Sequence, residues 1–376
     1  MKGVDVPEIT ATISIEDEAA TDLFPSLIEL EVEEDHRLAG MFKIKLATTK
    51  ADDGLWIFLD DERVKPWKKV TISATVADGE VELITGYITL IKPHIDLNES
   101  QSVLEIYGTD ATCLMSVEEK IKDWPNKSDS DIAQEIFAGY NLTATVDATE
   151  VIHDEAVSTI IQRETDAQFL KRLARRNGFE CFVKGDTGFF RKPVLTEPAQ
   201  PVLAIQFGAE TNLLAFDARL NALRPAATEM HQIDTIGKQV EDAVVESSDQ
   251  RLLGRDGTLS LATPNGAAAR LFVKHAVATG QPEMEKLCRA LFDEAEWFIE
   301  ASGKIDSAIY GAILQAKKLV PIKGVGESFS GIYYVTKVKH VFTLDGYVQE
   351  FTARRNAMAP SGPADFAGGG LLGGLL

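Results

Sequence analysis

The sequence predicts a mainly β protein with α+β parts, and the order of two hydrophobic patterns carries this prediction. Short runs of alternating apolar and polar residues fill residues 7 to 109 and return after residue 201. Such alternation is typical of half-buried antiparallel strands in a sandwich or small barrel. Residues 124 to 193 instead carry two stretches of helical periodicity. We therefore expect two β-rich regions separated by a compact α/β module.

Length and charge limit the architecture and the partners. The 376 residues correspond to two or three domains of about 150 residues each. Lys and Arg total 38 against 58 Asp and Glu, so the formal net charge is 38 − 58 = −20. This acidic excess argues against a continuous basic face, and no specific nucleic acid is expected. No membrane-length apolar run or signal peptide is visible, so we expect cytoplasmic assembly and no direct membrane insertion.

Two helices of the central module are predicted from their first residues. Ser128 with Asp131, and Thr165 with Gln168, have the spacing at which a hydroxyl and a second polar side chain cap the first helical turn. Gly178 follows the second apolar stripe and predicts its left-handed end. Strands are then expected at 179–183 and 189–191.

Four units follow from these patterns. Closely spaced prolines predict a linker at 197–201, and Pro282 opens the clearest helical stripe of the chain. The predicted units are a first tube-like β-barrel domain at 1–118, an α/β module at 119–197, a second β-barrel domain at 198–356 with a long helix at about 282–302, and a Gly/Leu-rich tail at 357–376.

A short repeat links the two β-rich regions. Residues 87–92 and 334–339 share the pattern Y-[IV]-T-x-[IV]-K, each late in its region. Coincidence is one explanation, since strands favour Tyr, Val, Ile and Thr. The other explanation is a duplication, in which the chain contains two copies of one β-barrel with different insertions.

The motifs of common enzymes are missing from the sequence. It has no H-E-x-x-H, G-x-S-x-G or Walker-A pattern, and none of its six histidines is paired at metal-ligand spacing. Gly324 and Gly326 precede a strand-like run, which indicates a hairpin turn and not a dinucleotide fingerprint. We expect no enzyme activity and no catalytic, cofactor-binding or metal site. The three widely spaced cysteines are interpreted as small buried residues: Cys113, Cys181 and Cys288.

Three polar clusters are explained more simply by structural roles than by a catalytic or ligand-binding site. The segment 153–155, His-Asp-Glu, is interpreted as a solvated polar loop, because three adjacent residues cannot face one site. Asp129 and Asp131 are interpreted as helix-start carboxylates. The basic pairs at 171–172 and 175–176 suit a helix C-terminus, with an anion site as the less favoured alternative.

The C-terminal leucines are candidate partner-docking residues. Burying four leucines is worth roughly 6 to 12 kcal/mol, whereas fixing about seven residues costs roughly 7 to 14 kcal/mol. A single tail would dock marginally, but several tails on one partner gain from effective concentration. A floppy end is the alternative. The candidate residues are Leu371, Leu372, Leu375 and Leu376.

The central and C-terminal motifs resemble those of the phage late-control D family. The matching segments are SDSDIA at 128–133, TDAQFLKRLA at 165–174, NGF at 177–179 and FRKP at 190–193. The ending also matches, with Gly331, Tyr334, His340 and the pair Gly346-Tyr347 before Arg354-Arg355-Asn356. The family comprises baseplate hub proteins of contractile tails and is related to the hub portion of the valine-glycine repeat spike proteins of type VI secretion.

This resemblance implies a homotrimer with pseudo-six-fold symmetry. Each protomer would supply two tube-like barrels, and the trimer would join a six-fold tail tube to a three-fold spike. The implied partners are a separate spike protein, a tail tube or tube-initiator protein, and baseplate wedge proteins. The implied final location is the baseplate of a phage virion or contractile injection particle. Because a trimer of such acidic chains repels itself, we expect much of the acidity to face the lumen or solvent.

Two other functions stay open at this point. Short helix pairs flanked by strands superficially resemble peptidoglycan-binding modules, so a carbohydrate-binding module of a cell-wall-associated protein is the first alternative. A hydrolase with dispersed carboxylates is the second, because 58 acidic residues always leave room for such a pair.

Overall fold

The computed structural model describes residues 9–361 except 77–78, 157–158, 234–236, 262–268 and 275–277. The protein is mainly β, as the sequence predicts. Within the described ranges, no helix combines the length and hydropathy needed to span a bilayer. The candidate docking residues of the tail lie outside these ranges: Leu371, Leu372, Leu375 and Leu376.

The first β-rich region supplies seven strands. They are β1 (Thr10–Ile15), β2 (Glu18–Ala19), β3 (Leu27–Asp35), β4 (Met41–Ala47), β5 (Lys69–Val76), β6 (Gly79–His94) and β7 (Val103–Asp110). Along β3, β4 and β7, every second side chain is buried, because one face of these strands covers the core.

The central module combines two helices with short strands. Its elements are β8 (Glu119–Trp124), α1 (Asp129–Gly139), β9 (Thr143–Val146), β10 (Ile160–Thr165), α2 (Asp166–Asn177), β11 (Glu180–Lys184) and β12 (Thr187–Arg191). Both predicted capping boxes are confirmed. The Asp131 amide donates to Ser128 Oγ over 3.1 Å, and the Gln168 amide donates to Thr165 Oγ1 over 3.3 Å. Gly178 ends α2 with φ of 68°, the left-handed conformation expected there.

The second β-rich region contains the remaining elements. They are β13 (Leu203–Ala204), β14 (Leu213–Leu220), β15 (Ala227–Ile233), β16 (Val240–Val245), β17 (Arg270–Phe272), α3 (Gln281–Ala295), β18 (Ile299–Asp306), α4 (Ser307–Tyr310), β19 (Leu319–Lys323), β20 (Gly331–Thr343) and β21 (Gly346–Arg355). Strands β15 to β17 form a small separate sheet. Its apolar side packs on α3 through a core that includes Met230, Met284 and Phe292.

The predicted helix at about 282–302 is too long. Helix α3 ends at Ala295, and Ile299–Asp306 is strand β18. The apolar residues Phe298 and Ile299 fit the helical stripe, but hydrogen bonding to β14 on one side and β21 on the other fixes this segment as a central strand. Tertiary pairing therefore overrides the local periodicity.

One sheet runs through both β-rich regions. Its strand order is β14-β18-β21-β20-β3-β4-β7-β6-β5-β1-β2, and β19 pairs with β20 and β13 off this path. The regions join where β20 pairs antiparallel with β3, from Lys337 opposite Asp35 to Thr343 opposite Glu29. Two separate apolar cores lie under the sheet, and each is built mainly from one region.

A buried histidine lies at this β20–β3 joint. His340 stands opposite Val32 of β3, its side chain is fully buried, and its Nδ1 lies 2.7 Å from the Tyr347 hydroxyl. Burial, with a smaller contribution from the charge of Lys184, lowers the pKa of His340 to about 3. The imidazole is therefore neutral in the folded protein at neutral pH.

Acid should weaken the joint through this residue. The pKa of a histidine in the unfolded chain is about 6.5, so acid protonates this residue in the unfolded state first and favours that state. The free energy of unfolding should therefore decrease as the pH falls from about 6.5 towards 3. Between pH 7 and pH 5 the loss is on the order of 2 kcal/mol. Urea denaturation at both pH values should show a smaller pH effect in His340→Asn, which does not titrate. An equal pH effect in both proteins would contradict this assignment.

Candidate functional site

His153 corrects the prediction of a solvated polar loop at 153–155. Its side chain is only 3% exposed, and its Nε2 lies 2.8 Å from Oδ1 of Asp129. The other oxygen of Asp129 accepts a 2.6 Å hydrogen bond from Nδ2 of the Asn177 side chain. Asp129 therefore lies at a helix start, as predicted, but it also ties three segments of the module together. Its neighbours Asp154 and Glu155 remain exposed.

The basic residues at the end of α2 serve packing. Arg176 forms an ion pair with Glu283 of α3, and its Nε lies 3.6 Å from Asp129. Arg172 pairs with Glu164 at 2.6 Å. These contacts fix α2 against α3 and β10, so two of the four basic residues are already neutralised by carboxylates.

The other two basic residues, Lys171 and Arg175, line a cavity of about 190 Å³ between α2, α3 and the sheet. Its wall also contains Glu294, which pairs with Arg354 at 3.1 Å, so the wall carries both acidic and basic groups. Near this cavity, burial raises the pKa of Glu296 to about 7, with a smaller contribution from the charge of Asp293. Among the described residues, no group of three His, Cys, Asp or Glu side chains could hold a metal.

The Y-[IV]-T-x-[IV]-K repeat marks one structural device that occurs twice. In both copies the threonine is the extra residue of a β-bulge: Thr89 falls between the pairs that β6 makes with β7, and Thr336 between those that β20 makes with β21. Both hydroxyls contact the carbonyl of the residue opposite the next position. Thr336 Oγ1 donates to Thr352 O at 3.1 Å, and Thr89 Oγ1 lies 3.5 Å from Tyr107 O.

A second bulge repeats in the same way. The register between β3 and β4 shifts between Leu27 and Glu29, and that between β14 and β18 shifts between Leu213 and Ala215. The registers therefore superimpose β3, β4, β5, β6 and β7 on β14, β18, β19, β20 and β21, in the same chain order. Two shared irregularities are not explained by strand composition. The halves are therefore structurally equivalent in these five strands, which favours duplication over coincidence.

Charged side chains form alternating rows on the polar face of the sheet. Lys304, Glu350, Lys339 and Glu33 lie opposite one another on β18, β21, β20 and β3. The first half repeats the row with Lys92, Glu105 and Lys45, followed by Glu29 on β3. Neighbours pair closely, as in the 2.8 Å contact of Lys339 with Glu31 and the 2.6 Å contact of Lys43 with Glu29. We call this surface the charge ladder.

Two strand edges have no partner strand within the described residues. Strand β14 pairs only with β18, and most of its side chains are exposed. Beyond Thr89, strand β6 pairs only with β7, and Leu90 is 54% exposed. In the other half the equivalent segments are covered, because β20 beyond Thr336 pairs with β3. The internal joint therefore uses the same two edges that are open at the ends of the sheet.

Comparison of the chain with models of known protein families gives one match. A family model described as the Alg8 N-terminal domain matches residues 6–343, which is most of the chain. The chain belongs to this family. No curated protein matches it.

Solved structures share the fold. The 43 kDa tail protein of prophage MuSo2 from Shewanella oneidensis has a TM-score of 0.67 at 16% identity, covering 93% of this chain and 100% of its own. A tail protein from Neisseria meningitidis MC58 has a TM-score of 0.65 at 11% identity, covering 94% and 100%.

A third match is a component of the Escherichia coli type VI secretion system, described as similar to the bacteriophage T4 tail proteins gp27 and gp5. Its TM-score is 0.54 at 12% identity, and the match covers 94% of the present chain and 79% of the secretion-system protein. The resemblance to phage tail proteins that the sequence motifs indicated is thus confirmed at the level of the fold.

The bulge threonines offer a matched stability test. Thr336→Val keeps the shape but removes a 3.1 Å hydrogen bond in a largely buried setting, so it should lower the free energy of unfolding by about 1 kcal/mol. Thr89→Val should cost less, because its contact is 3.5 Å long and exposed. Urea denaturation of the two variants measures both values. A larger loss at position 89 would contradict the assigned roles.

Proposed function

We propose that this protein is a structural baseplate hub of a contractile phage tail or a phage-like contractile injection system. In this proposal three copies form a symmetry adaptor between a six-fold tail tube and a three-fold spike, and the protein has no catalytic role. It would assemble in the cytoplasm and end in the baseplate of the particle. The fold shared with phage tail proteins supports this role.

The observation that carries the proposal is the internal duplication. Two copies of one unit are joined through β20 and β3, and the same pair of edges is open at the two ends of the sheet. Repeating the internal joint between chains uses both open edges. Three chains would then close a ring of six similar units, each unit corresponding to one of the tube-like barrels.

The internal joint also supplies the register of the proposed contact. Lys339 stands opposite Glu33 at the β20–β3 joint. In the repeat, Lys92 is equivalent to Lys339, and the matching bulges make Arg219 of β14 equivalent to Glu33 of β3. Lys92 should therefore stand opposite Arg219 of the neighbouring copy. Backbone hydrogen bonds would then cover both open edges, which otherwise invite uncontrolled pairing.

The directly opposed pair at the proposed contact, Lys92 and Arg219, is cationic, and neighbouring carboxylates would offset this repulsion. Arg219 is already paired with Glu300 of its own chain, which offsets its position opposite Lys92. Asp217 would lie diagonal to Lys92, as Glu31 lies diagonal to Lys339 in the 2.8 Å internal ion pair. Lys92 would thus sit between Asp217 of the neighbouring copy and Glu105 of its own chain, at 3.4 Å.

The charge ladder would face the lumen of such a ring. Its six lysines and five glutamates nearly balance, so the lumen itself would be close to neutral. The net charge of −20 per chain would then lie mainly on the solvent side. The ladder residues are Lys43, Lys45, Lys92, Lys304, Lys337, Lys339, Glu29, Glu31, Glu33, Glu105 and Glu350.

Paired cysteines test the proposed contact. A chain carrying Lys92→Cys and Arg219→Cys should form disulfides between copies, because the two positions face each other only across the trimer contact. Non-reducing electrophoresis should show linked dimers and trimers, and mass photometry should show a trimer before oxidation.

The separate spike protein and the wedge proteins are further proposed partners, with the C-terminal leucines as candidate contacts to the spike.

Matched controls separate the register from the assembly. Lys339→Cys with Glu33→Cys should link within one chain, and Leu90→Cys with Arg219→Cys, shifted by two residues or about 7 Å, should link poorly. A trimer without cross-links would refute the strand register. A protein that stays monomeric at every concentration would refute the ring itself.

A further inference from the structure

The registers place four connections at the same end of the sheet. Thr343 of β20 lies opposite Glu29 of β3, and the same row continues through Lys45 and Glu105 to Lys92. Just past this row come the β6–β7 connection at 95–102 and the β20–β21 turn at 344–345. We call this the tip end. The β4–β5 and β18–β19 connections also leave the sheet here.

The opposite end is decorated differently in the two halves. There, β7 leads into the α/β module, whereas its counterpart β21 leads to the C-terminal segment. Strands β3 and β4 are joined by only five residues, 36–40, whereas β14 and β18 are joined through β15 to β17 and α3. A ring of three chains would therefore have three-fold symmetry at this end.

At the tip end, a strand connection of each half presents an exposed leucine. The β6–β7 connection presents Leu97, which is fully exposed at 105%, and the β20–β21 turn presents Leu344, which is 89% exposed. An aspartate adjoins each leucine: Asp96 in the first tip and Asp345 in the second. Both leucines lie ten residues after the tyrosine that opens the repeat, Leu97 in an eight-residue connection and Leu344 in a two-residue turn.

Local hydrogen bonds hold both tips in shape. The Asp96 amide donates to Ser102 Oγ at 3.0 Å, and Asp96 Oδ1 accepts from the Asn98 amide at 2.8 Å. In the second tip, the Asp345 amide donates to Thr343 Oγ1 at 3.3 Å. Both leucines are therefore presented on ordered turns, which lowers the entropic cost of docking.

We propose that the tip end is the docking face for the six-fold tail tube, with Leu97 and Leu344 as equivalent anchors. This inference rests on the trimeric hub of the proposed function. Three chains would present six leucines, and each would enter an apolar pocket on one of six tube subunits. The partner is thus a ring with six-fold symmetry, and the spike would bind at the opposite end, where β21 ends.

The test uses the full chain as assembled and the purified tube subunit of the same particle. Sedimentation and mass photometry should give six tube subunits per hub trimer. Leu97→Asp and Leu344→Asp should each weaken tube binding about tenfold and by similar factors, and the double variant about 100-fold or more. Similar single losses are the signature of equivalent anchors, which an accidental surface patch would not produce.

Leu223→Asp is the matched control. Leu223 is 85% exposed and follows β14 at the opposite end of the sheet. This variant should bind tube subunits normally, and all variants should remain trimeric. Unchanged binding in the tip variants, or loss only in Leu223→Asp, would overturn the inference while leaving the trimer intact. Failure of the unmodified trimer to bind tube subunits at all would instead refute the proposed function.

Discussion

The structure depends on one constraint: strand β20 must pair with two different neighbours on the same edge. Its first residues pair with β19, and from Lys337 onward it pairs with β3. The bulge at Thr336 lies between these two stretches, where a local kink and added twist can turn the strand from one neighbour to the next. The bulge at Thr89 occupies the same place in β6. An extra residue in the strand thus separates the part that closes its own unit from the part that is free to join another.

The polar face of the sheet follows from this arrangement. Because side chains alternate along each strand, the apolar residues of both halves go to the two cores and the lysines and glutamates go to the opposite face. Lysine and glutamate then alternate across neighbouring strands, so each carboxylate lies beside an ammonium group. The Glu29 carboxylate, for example, raises the pKa of Lys43 although burial works against it. Such exposed pairs add little stability each. Because the ladder residues of β3 are all glutamates and those of β4 and β20 are all lysines, the charges favour pairing of these strands without selecting one register.

The α/β module and α3 are held together by buried polar groups and not by apolar packing alone. Asp129, His153, Asn177 and Arg176 form one connected set, and Arg176 continues it to Glu283 on α3. Buried charges of this kind cost stability when one partner is removed. They therefore fix the position of the module relative to the insertion between β14 and β18, at the end of the sheet opposite the leucine tips.

The sequence by itself determined the strand-rich class, both helix starts and the repeat at 87–92 and 334–339, because these depend on periodicity, capping residues and local residue order. It could not determine that Ile299 ends a helical pattern as part of a strand, since pairing with β14 and β21 decides this. Nor could it place His153 beside Asp129 or assemble the charge ladder, since these contacts join residues far apart in the chain. The repeat held a usable signal, because both copies end in the ladder lysines Lys92 and Lys339. Only the tertiary structure shows that each repeat is a bulge and that the edges beyond it are open.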